Sequence, residues 1–430
     1  MDVGHLRRAA NLGDETALRP ERFGALAYDF DTRRLSFVRR RSQARGALND
    51  EFERGLDAPI CLTWELTYAC NLACVHCLSS SGRRDPRELT TAECKAVIDE
   101  LERMQVFYVN IGGGEPTVRK DFWELVEYAT AHKVGVKFST NGSRITADRA
   151  AWLAASDYVD VQISLDGATA EVNDRVRGAG SYDTAITAMR HLHAAGMRDF
   201  KLSVVVTREN VGQLDAFETI ADAYGAQLRI TRLRPSGRGA DVWDELHPKP
   251  HQQRELYEWL AARGEKVLTG DSFFHLAPLG DALPGLNLCG AGRVVCLIDP
   301  IGDVYACPFA IHDEFLAGNV RSPGGFAGVW RSSELFLELR KPQSGGACGS
   351  CSFYDSCRGG CMAAKFFTGL PLDGPDPECV LGHGEALLEA RAGDELLPKP
   401  SQDHSKRKRM PARDCDESPL ADFDLLARAG

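Results

Sequence analysis

The sequence predicts an α/β fold: a parallel sheet with helical crossovers, followed by a segment in which bound metal takes the place of a large apolar core. Two observations carry this. Between about Pro59 and Ile230, short β-branched runs alternate with amphipathic stretches. From Leu286 to Cys379 the periodicity fades, glycine becomes frequent and eight of the 14 cysteines gather. In order, ICLTWEL, VFYVNIG, VGVKFST, VDVQISL, KLSVVVT and QLRITRL read as strands. TAECKAVIDELERM, DFWELVEYATAHK, SYDTAITAMRHLHAAG and LDAFETIADAYG read as helices between them. That is close to six strand and helix pairs, as in an open doubly wound sheet or a partial barrel. After a Gly- and Pro-rich loop, RPSGRGADVWDELHPKP, a further helix is predicted from about Gln252 to Arg263. The last stretch, from RAGDELLPKP through KRKR, is charged and Pro-interrupted and reads as a disordered tail, its basic run a solvated patch. No repeat of solenoid length is present. The units expected are residues 1–56, 57–275, 276–388 and 389–430.

Composition narrows the function. With 61 acidic against 51 basic residues the net charge is -10, which repels phosphate backbones and anionic head groups, so neither nucleic acid nor membrane is the expected partner. No apolar run approaches the ~18 residues of a spanning helix, and the opening has no apolar stretch of a signal peptide, which points to the cytoplasm. Thiols there are kept reduced, so the cysteines point to metal thiolates rather than disulfides.

Directly after the first strand, TYACNLACVHC places Cys70, Cys74 and Cys77 in the spacing CxxxCxxC. At this cysteine content roughly 0.015 such matches arise by chance, so the pattern is informative. Three thiolates on one loop can hold three irons of a four-iron cubane and leave the fourth open to a small-molecule chelate. A zinc knuckle is the alternative, with His76 as its only local fourth ligand. The spacing, on the loop after the first strand of such a sheet, resembles the radical S-adenosylmethionine (SAM) superfamily. The resemblance implies that the methionyl amine and carboxylate of SAM occupy the open iron, and that His76 stands where an aromatic residue touches adenine.

Ligands gather at the carboxyl ends of strands in such sheets, and these ends carry unusual residues. VFYVNI runs into Gly112, Gly113, Gly114 and Glu115, similar to the motif that holds the methionyl amine in that superfamily. Asn141 and Ser164 end the next two strands, where ribose and carboxylate contacts are expected, and Arg177 stands where related enzymes contact the methionyl carboxylate. Taken singly, a glycine run is also an ordinary tight turn and a loop arginine is also an ordinary solvated side chain.

In the cysteine-rich segment, Cys348, Cys351, Cys357 and Cys361 follow C-x2-C-x5-C-x3-C, with Cys289 and Cys307 before them and Cys379 after. A zinc ribbon is the alternative for the four-cysteine run. The whole set resembles the SPASM extension of peptide-modifying radical enzymes, which implies two auxiliary iron-sulfur clusters. On that resemblance Cys348, Cys351, Cys357 and Cys379 hold the outer cluster, and Cys289, Cys307 and Cys361 the inner one. Cys296 either completes the inner cluster or is a buried strand residue. Cys61, Cys94 and Cys415 fit no ligand spacing. The fold class implied is α/β: a partial (β/α)6 TIM-type barrel with a C-terminal iron-sulfur SPASM domain, carrying three [4Fe-4S] clusters and SAM.

The stretches GLDAPICLTWELTYACNLACVHCLSSSG, LRPSGRGADVWDELHP, LNLCGAGRVVCLIDPIGDVYACPFAIHD and CRGGCMAAKFFTGLPLDGPDPECV resemble the mycofactocin radical maturase family nearly throughout. The resemblance implies oxidative decarboxylation of the C-terminal Tyr of a ribosomal precursor peptide, then a carbon-carbon cross-link to the penultimate Val. It further implies a separate peptide chaperone and an electron donor such as a flavodoxin or ferredoxin. Rivals are a thioether-forming or sulfatase-type SPASM maturase and a zinc-binding peptide carrier without chemistry. Residues 19–40 depart from the family and resemble the first hairpin of the pathway's winged-helix chaperone. A lone hairpin is marginally stable, so the segment reads as a relic more readily than as a working peptide-binding edge.

Overall fold

A computed structural model describes residues 16–21, 24–31, 34–39, 52–198, 200–269, 273–280, 283, 289–341 and 345–392. Six strands form its centre: β4 (Cys61–Thr67), β5 (Tyr108–Gly113), β6 (Gly135–Thr140), β7 (Val159–Ser164), β8 (Lys201–Val206) and β9 (Gln227–Arg232). All neighbours are parallel and lie side by side in sequence order. A doubly wound sheet would reverse direction at one strand, so this order decides for the partial barrel.

The crossover helices are α1 (Thr91–Arg103), α2 (Phe122–Ala131), α3 (Ala147–Ala154), α4 (Ala170–Arg177), α5 (Ser181–Ala194), α6 (Leu214–Tyr224) and α7 (Pro250–Arg263). Helix α1 begins where Thr90 and Glu93 cap each other's backbone, at 3.2 and 2.7 Å. The sequence reading passed over α3 and α4; each has only eight residues, too few for a clear apolar period.

Side-chain alternation makes the barrel asymmetric. Leu62, Trp64 and Leu66 of β4, Val109 and Ile111 of β5, Val136 and Phe138 of β6, and their counterparts on β7 to β9 are buried in one core with the helices. Most of the alternate positions are polar, among them Thr63, Glu65, Asn110, Lys137, Ser139, Asp160, Gln162, Ser203, Arg229 and Thr231; Cys61, Tyr108 and Val205 are exceptions. Helices therefore cover one face, and the other forms a polar lumen in which Lys201 pairs with Asp160 at 3.4 Å.

The cysteine-rich segment is not a separate core. Strand β10 (Leu268–Thr269) extends the sheet beyond β9; on the opposite edge β11 (Leu297–Ile298) pairs in parallel with β4 and carries β12 (Asp303–Tyr305) and β13 (Leu316–Asn319) antiparallel. Helices α8 (Gly325–Ser332) and α9 (Glu334–Leu339) cover this extension. Cys296, Ile298, Phe315, Phe326, Trp330 and Phe336 join the barrel's own core. Strands of two to four residues leave no periodic signature, and they acquire their burial from β4. Farther on, α10 (Met362–Phe367) lies between Cys361 and Cys379, and α11 (His383–Ala392) closes the described chain. Residues 389–392, expected to open the tail, are the last turn of α11; the rest of that tail, with KRKR and Cys415, lies outside the described residues.

The N-terminal segment corrects the expectation of a lone, marginal hairpin. It is a three-stranded antiparallel sheet, β1 (Thr16–Glu21), β2 (Gly24–Asp29) and β3 (Arg34–Arg39), docked where the barrel strands begin. Leu26 and Tyr28 bury with Leu56, Phe107 and Val294, and Tyr28 lies over Phe107 with ring centroids 5.6 Å apart. Arg19, only 2% exposed, donates to the carbonyls of Pro59 at 2.6 Å and Ala58 at 2.8 Å. Among the described residues no helix is long and apolar enough to cross a membrane.

Removing residues 1–51 uncovers Leu56, Phe107 and Val294, so Tm is expected to fall by roughly 5–10 °C. SAM cleavage per folded molecule should persist, since the sheet sits at the end of the barrel away from Cys70, Cys74 and Cys77. Thermal unfolding and cofactor turnover measured on one preparation check both halves.

Candidate active site

The first cysteine loop springs from the carboxyl end of β4 and is held by backbone before any metal enters. Glu88 accepts from the Thr67 hydroxyl at 3.0 Å and the Tyr68 N–H at 2.9 Å. Cys70 N–H donates to Gly82 and Gly82 N–H to Tyr68, at 3.0 and 2.8 Å, which closes the loop. From the far edge, Arg238 donates to the carbonyls of Cys74 at 2.8 Å and Ser81 at 2.9 Å. Gly237 has φ +57, and a Cβ there would overlap the Cys77 and Leu78 carbonyls, so the turn after β9 can press on the loop only as glycine.

Cys70, Cys74 and Cys77 are half-buried and free of disulfides. Burial pushes the Cys70 thiol up, the Leu72 N–H opposes this, and the charges of Glu115, Cys74 and Cys77 add to it. An iron-bound sulfur is a thiolate, and bound metal would reverse this preference. His76, the fourth ligand that a zinc knuckle would need, is engaged elsewhere: its Nε2 lies 2.8 Å from Asp166 Oδ2. Among the described residues no three Cys, His, Asp or Glu side chains converge on a single-ion position. Three thiols on one loop, with His76 turned to Asp166, match the donor set of a cubane with one open iron.

Asp166, fully buried after β7, organises the mouth. It accepts from the Val205 N–H at 2.8 Å and from Arg177 Nε at 2.6 Å, and faces His76. Burial alone would raise its pKa, yet Arg177 and His76 hold the carboxyl well below the usual carboxylate range. Arg177 ends α4, and its Nη1 reaches to 4.0 Å from Cys74 Sγ. Arg177 and His76, far apart in the chain, are thus joined by one aspartate, a contact that no local pattern announces.

At the end of β5, a Cβ on Gly113 would lie 2.7 Å from the Thr67 carbonyl, and one on Gly114 would overlap the Ala69 carbonyl. The glycines therefore let two strand ends close together. Ser79 bridges them to the sulfurs, 3.7 Å from Cys77 Sγ and 3.4 Å from the Gly113 carbonyl. The Glu115 carboxylate is used inside the protein: it accepts from Thr117 Oγ1 at 2.5 Å, Thr140 Oγ1 at 2.8 Å and Asn141 N–H at 2.7 Å. Expected from resemblance as a cofactor contact, Glu115 is here a brace between β5 and β6. Asn141 in turn donates to Asn71 Oδ1 at 2.8 Å, beside Cys70. Ser164 is half-buried at the end of β7.

In the second field, burial pushes the thiols of Cys348, Cys357 and Cys379 up, and each is pushed further by others of the set Cys348, Cys351 and Cys379. These are the four cysteines expected for the outer cluster. Cys361 is tied to Cys379 through Asp376, which accepts from Cys361 N–H at 2.7 Å and whose carbonyl accepts from Cys379 N–H at 3.0 Å. Cys289 and Cys307 flank β11 and β12, half-buried against the core. Cys296 is placed differently: 0% exposed on the helix-facing side of the sheet, its thiol is raised well above normal by burial and by nearby Cys61. Cys296 is thus a core thiol immediately before β11. Cys94 is likewise a core thiol, pushed up to about 12 by burial.

One side chain ties the barrel to the second field. Arg232, the last residue of β9, is buried and paired with both Asp376 and Glu378. Removing one member of a buried ion group leaves the others unpaired, typically at about 3–5 kcal/mol. Arg232→Met is therefore expected to lower stability by that amount and to loosen the Cys361–Cys379 segment. Iron per chain should fall while the Cys70 loop still supports SAM cleavage; denaturant titration with iron analysis reads the outcome.

The chain matches known families along most of its length. Residues 64–220 match the radical SAM superfamily, residues 289–352 the SPASM iron-sulfur cluster-binding domain, and residues 10–45 the MftB peptide chaperone family. Mycofactocin maturase MftC of Mycobacterium tuberculosis (strain CDC 1551 / Oshkosh) is 71% identical over 387 residues, covering 87% of this chain and 98% of that one. MftC of Mycolicibacterium smegmatis is 72% identical over 386 residues, with 87% and 98% covered. Among solved structures, Streptococcus suis SuiB bound to its precursor peptide SuiA superposes with a TM-score of 0.68 at 16% identity over 85% of this chain and 99% of that one, a likeness of fold.

Proposed function

Because the chain belongs to the mycofactocin maturase family, radical SAM enzymes with an iron-sulfur SPASM segment that modify a peptide, we propose that it acts on a ribosomal precursor peptide ending in Val-Tyr. It removes the terminal carboxylate oxidatively and then joins the Val side chain to the resulting alkene. One observation carries the reading: the stretch from Arg232 to Arg238 touches both cysteine fields, Arg238 holding the Cys74 and Ser81 carbonyls and Arg232 holding Asp376 and Glu378. Radical initiation and a redox group can thus serve one substrate between them.

When bound, the first cluster with SAM supplies a 5'-deoxyadenosyl radical, and the auxiliary clusters supply a sink for one electron. Cys70, Cys74 and Cys77 would hold the first cluster, and the glycine mouth at Gly113 and Gly114 would offer backbone carbonyls to the methionyl amine. Arg177, fixed by Asp166, presents a cation beside Cys74, and His76 forms the adjoining wall. Cys348, Cys351, Cys357 and Cys379 hold the outer auxiliary cluster; Cys289, Cys307 and Cys361 hold the inner one, making three clusters in all. The polar lumen receives the peptide end. In the substrate, the tyrosine β-carbon loses a hydrogen atom, giving a benzylic radical; carbon dioxide and one electron then leave, and an alkene conjugated to the phenol remains. Loss of hydrogen from the valine β-carbon gives a tertiary radical that adds to this alkene, and the benzylic radical so formed takes up one proton and one electron, the electron returning from the reduced auxiliary group, so the second step is redox-neutral for the peptide. The separate chaperone delivers the peptide, and a flavodoxin or ferredoxin supplies reducing electrons.

Mass spectrometry of the peptide after anaerobic incubation with enzyme, chaperone, reductant and SAM tests this. A first product lighter by the elements of formic acid and a second of unchanged mass are expected; an unaltered peptide beside cleaved SAM would refute the substrate assignment.

Replacing Cys70, Cys74 and Cys77 together by Ala should leave about eight of twelve irons and no SAM cleavage. Cleavage surviving in that variant would remove the first loop from the chemistry.

A further inference from the structure

Arg234 is a buried cation with an unmet hydrogen-bond donor at the mouth. It follows β9 by two residues, is 3% exposed, and its Nη1 reaches only the Arg232 and Leu233 carbonyls, at 3.3 and 3.5 Å. Its Nε is buried with no hydrogen-bond partner, and so is the hydroxyl of Ser236, two residues on and also 3% exposed. Among the described residues no carboxylate lies within ion-pair distance of Arg234. The acid that feels its charge, Glu378, is already used by Arg232 and by Gln253 Nε2 at 2.6 Å. Buried donors are nearly always satisfied, and a buried guanidinium more so, which marks Arg234 as waiting for a partner.

Its surroundings say where that partner comes from. The guanidinium lies over the Phe309 ring, 4.4 Å from its centroid, and Phe309 is two residues past Cys307. On the other side, the Arg234 carbonyl packs under Gly239, whose Cβ position is 3.3 Å from the His76 carbonyl. Arg234 therefore stands between the first cysteine loop and the flank of the second field, where the reacting end of a peptide has to lie. A guanidinium takes a carboxylate through two parallel N–H bonds, which fixes orientation as well as position.

We propose that Arg234, with Ser236, binds the C-terminal carboxylate of the peptide substrate. This rests on the decarboxylation reading above and adds a consequence to it. The anchor holds only while the carboxylate exists: once that group has left as carbon dioxide, the peptide end is released from Arg234 and the Val side chain is free to move toward the adenosyl radical. Arg234 is thus a substrate-binding residue for the first step and dispensable for the second. The other carboxylate brought to this mouth is the methionyl one of SAM, and the test separates the two.

Fluorescently labelled peptides ending Val-Tyr, one as the free acid and one as the C-terminal amide, are titrated against anaerobic holoenzyme with SAM and without reductant. Wild type is expected to prefer the acid by about 10- to 100-fold, the range of a buried charge-assisted pair. Arg234→Gln should bind both peptides with the affinity of the wild type for the amide, and Arg234→Lys should recover part of the preference. SAM affinity and iron content should be unchanged, and a synthetic decarboxylated peptide should be cross-linked by Arg234→Gln with an unaltered KM. Retained preference for the acid, equal weakening toward both peptides, or weakened SAM binding in its place would each overturn the assignment. An acid preference lost in the variant, beside a wild type that releases no decarboxylated product, would leave the site standing and sink the reaction instead.

Discussion

The molecule depends on one buried guanidinium, that of Arg232, which ends the sixth barrel strand and takes two carboxylates from the far end of the cysteine-rich segment. Moving three charges out of water is costly, and their attraction offsets that cost only when the remaining hydrogen-bonding capacity is also used. Here it is. Asp376 also accepts from the backbone of Cys361 and Glu378, and Glu378 also accepts from Gln253 of α7. The group therefore fixes the segment bearing Cys361 and Cys379 against β9 with little alternative geometry. Apolar packing of similar volume would stabilise as well, but it would not dictate where two sets of ligand cysteines stand relative to one another.

A second carboxylate performs the same service inside the mouth. Asp166 receives Arg177 and faces His76 while tied to the Val205 N–H, so α4, the cysteine loop and β8 meet on one anion. Glu115 joins β5 to β6 in the same manner. Buried acids whose partners come from different strands convert flexible loops at the strand ends into a fixed rim, and the rim can then present glycine carbonyls and cations to a bound molecule without reorganising. The polar lumen beneath it follows from helices covering only the outer face of an incomplete barrel.

Stability and chemistry occupy opposite ends. The N-terminal sheet packs aromatic and aliphatic side chains against the starts of β4 and β5, while every residue assigned to cofactor or substrate lies near the strands' carboxyl ends or on the SPASM extension. That division is general for barrels of parallel strands and leaves the mouth free for a delivered peptide.

The family and the fold class were legible in the sequence because cysteine spacing is local: CxxxCxxC and the C-x2-C-x5-C-x3-C run stand out without any fold, and β-branched alternation marks the six strands. What only the tertiary structure decided is where the residues between the motifs act. Strand order chose the partial barrel over the doubly wound sheet. Pairing with β4 turned short, aperiodic stretches into strands and buried Cys296 beside them. Docking made a sheet of what reads as a marginal hairpin. Arg232 with Asp376, Asp166 with Arg177, and the unmet donor of Arg234 are contacts, or missing contacts, between residues distant in the chain. No local pattern encodes them, because the free energy of a buried charge depends on what the rest of the fold places beside it.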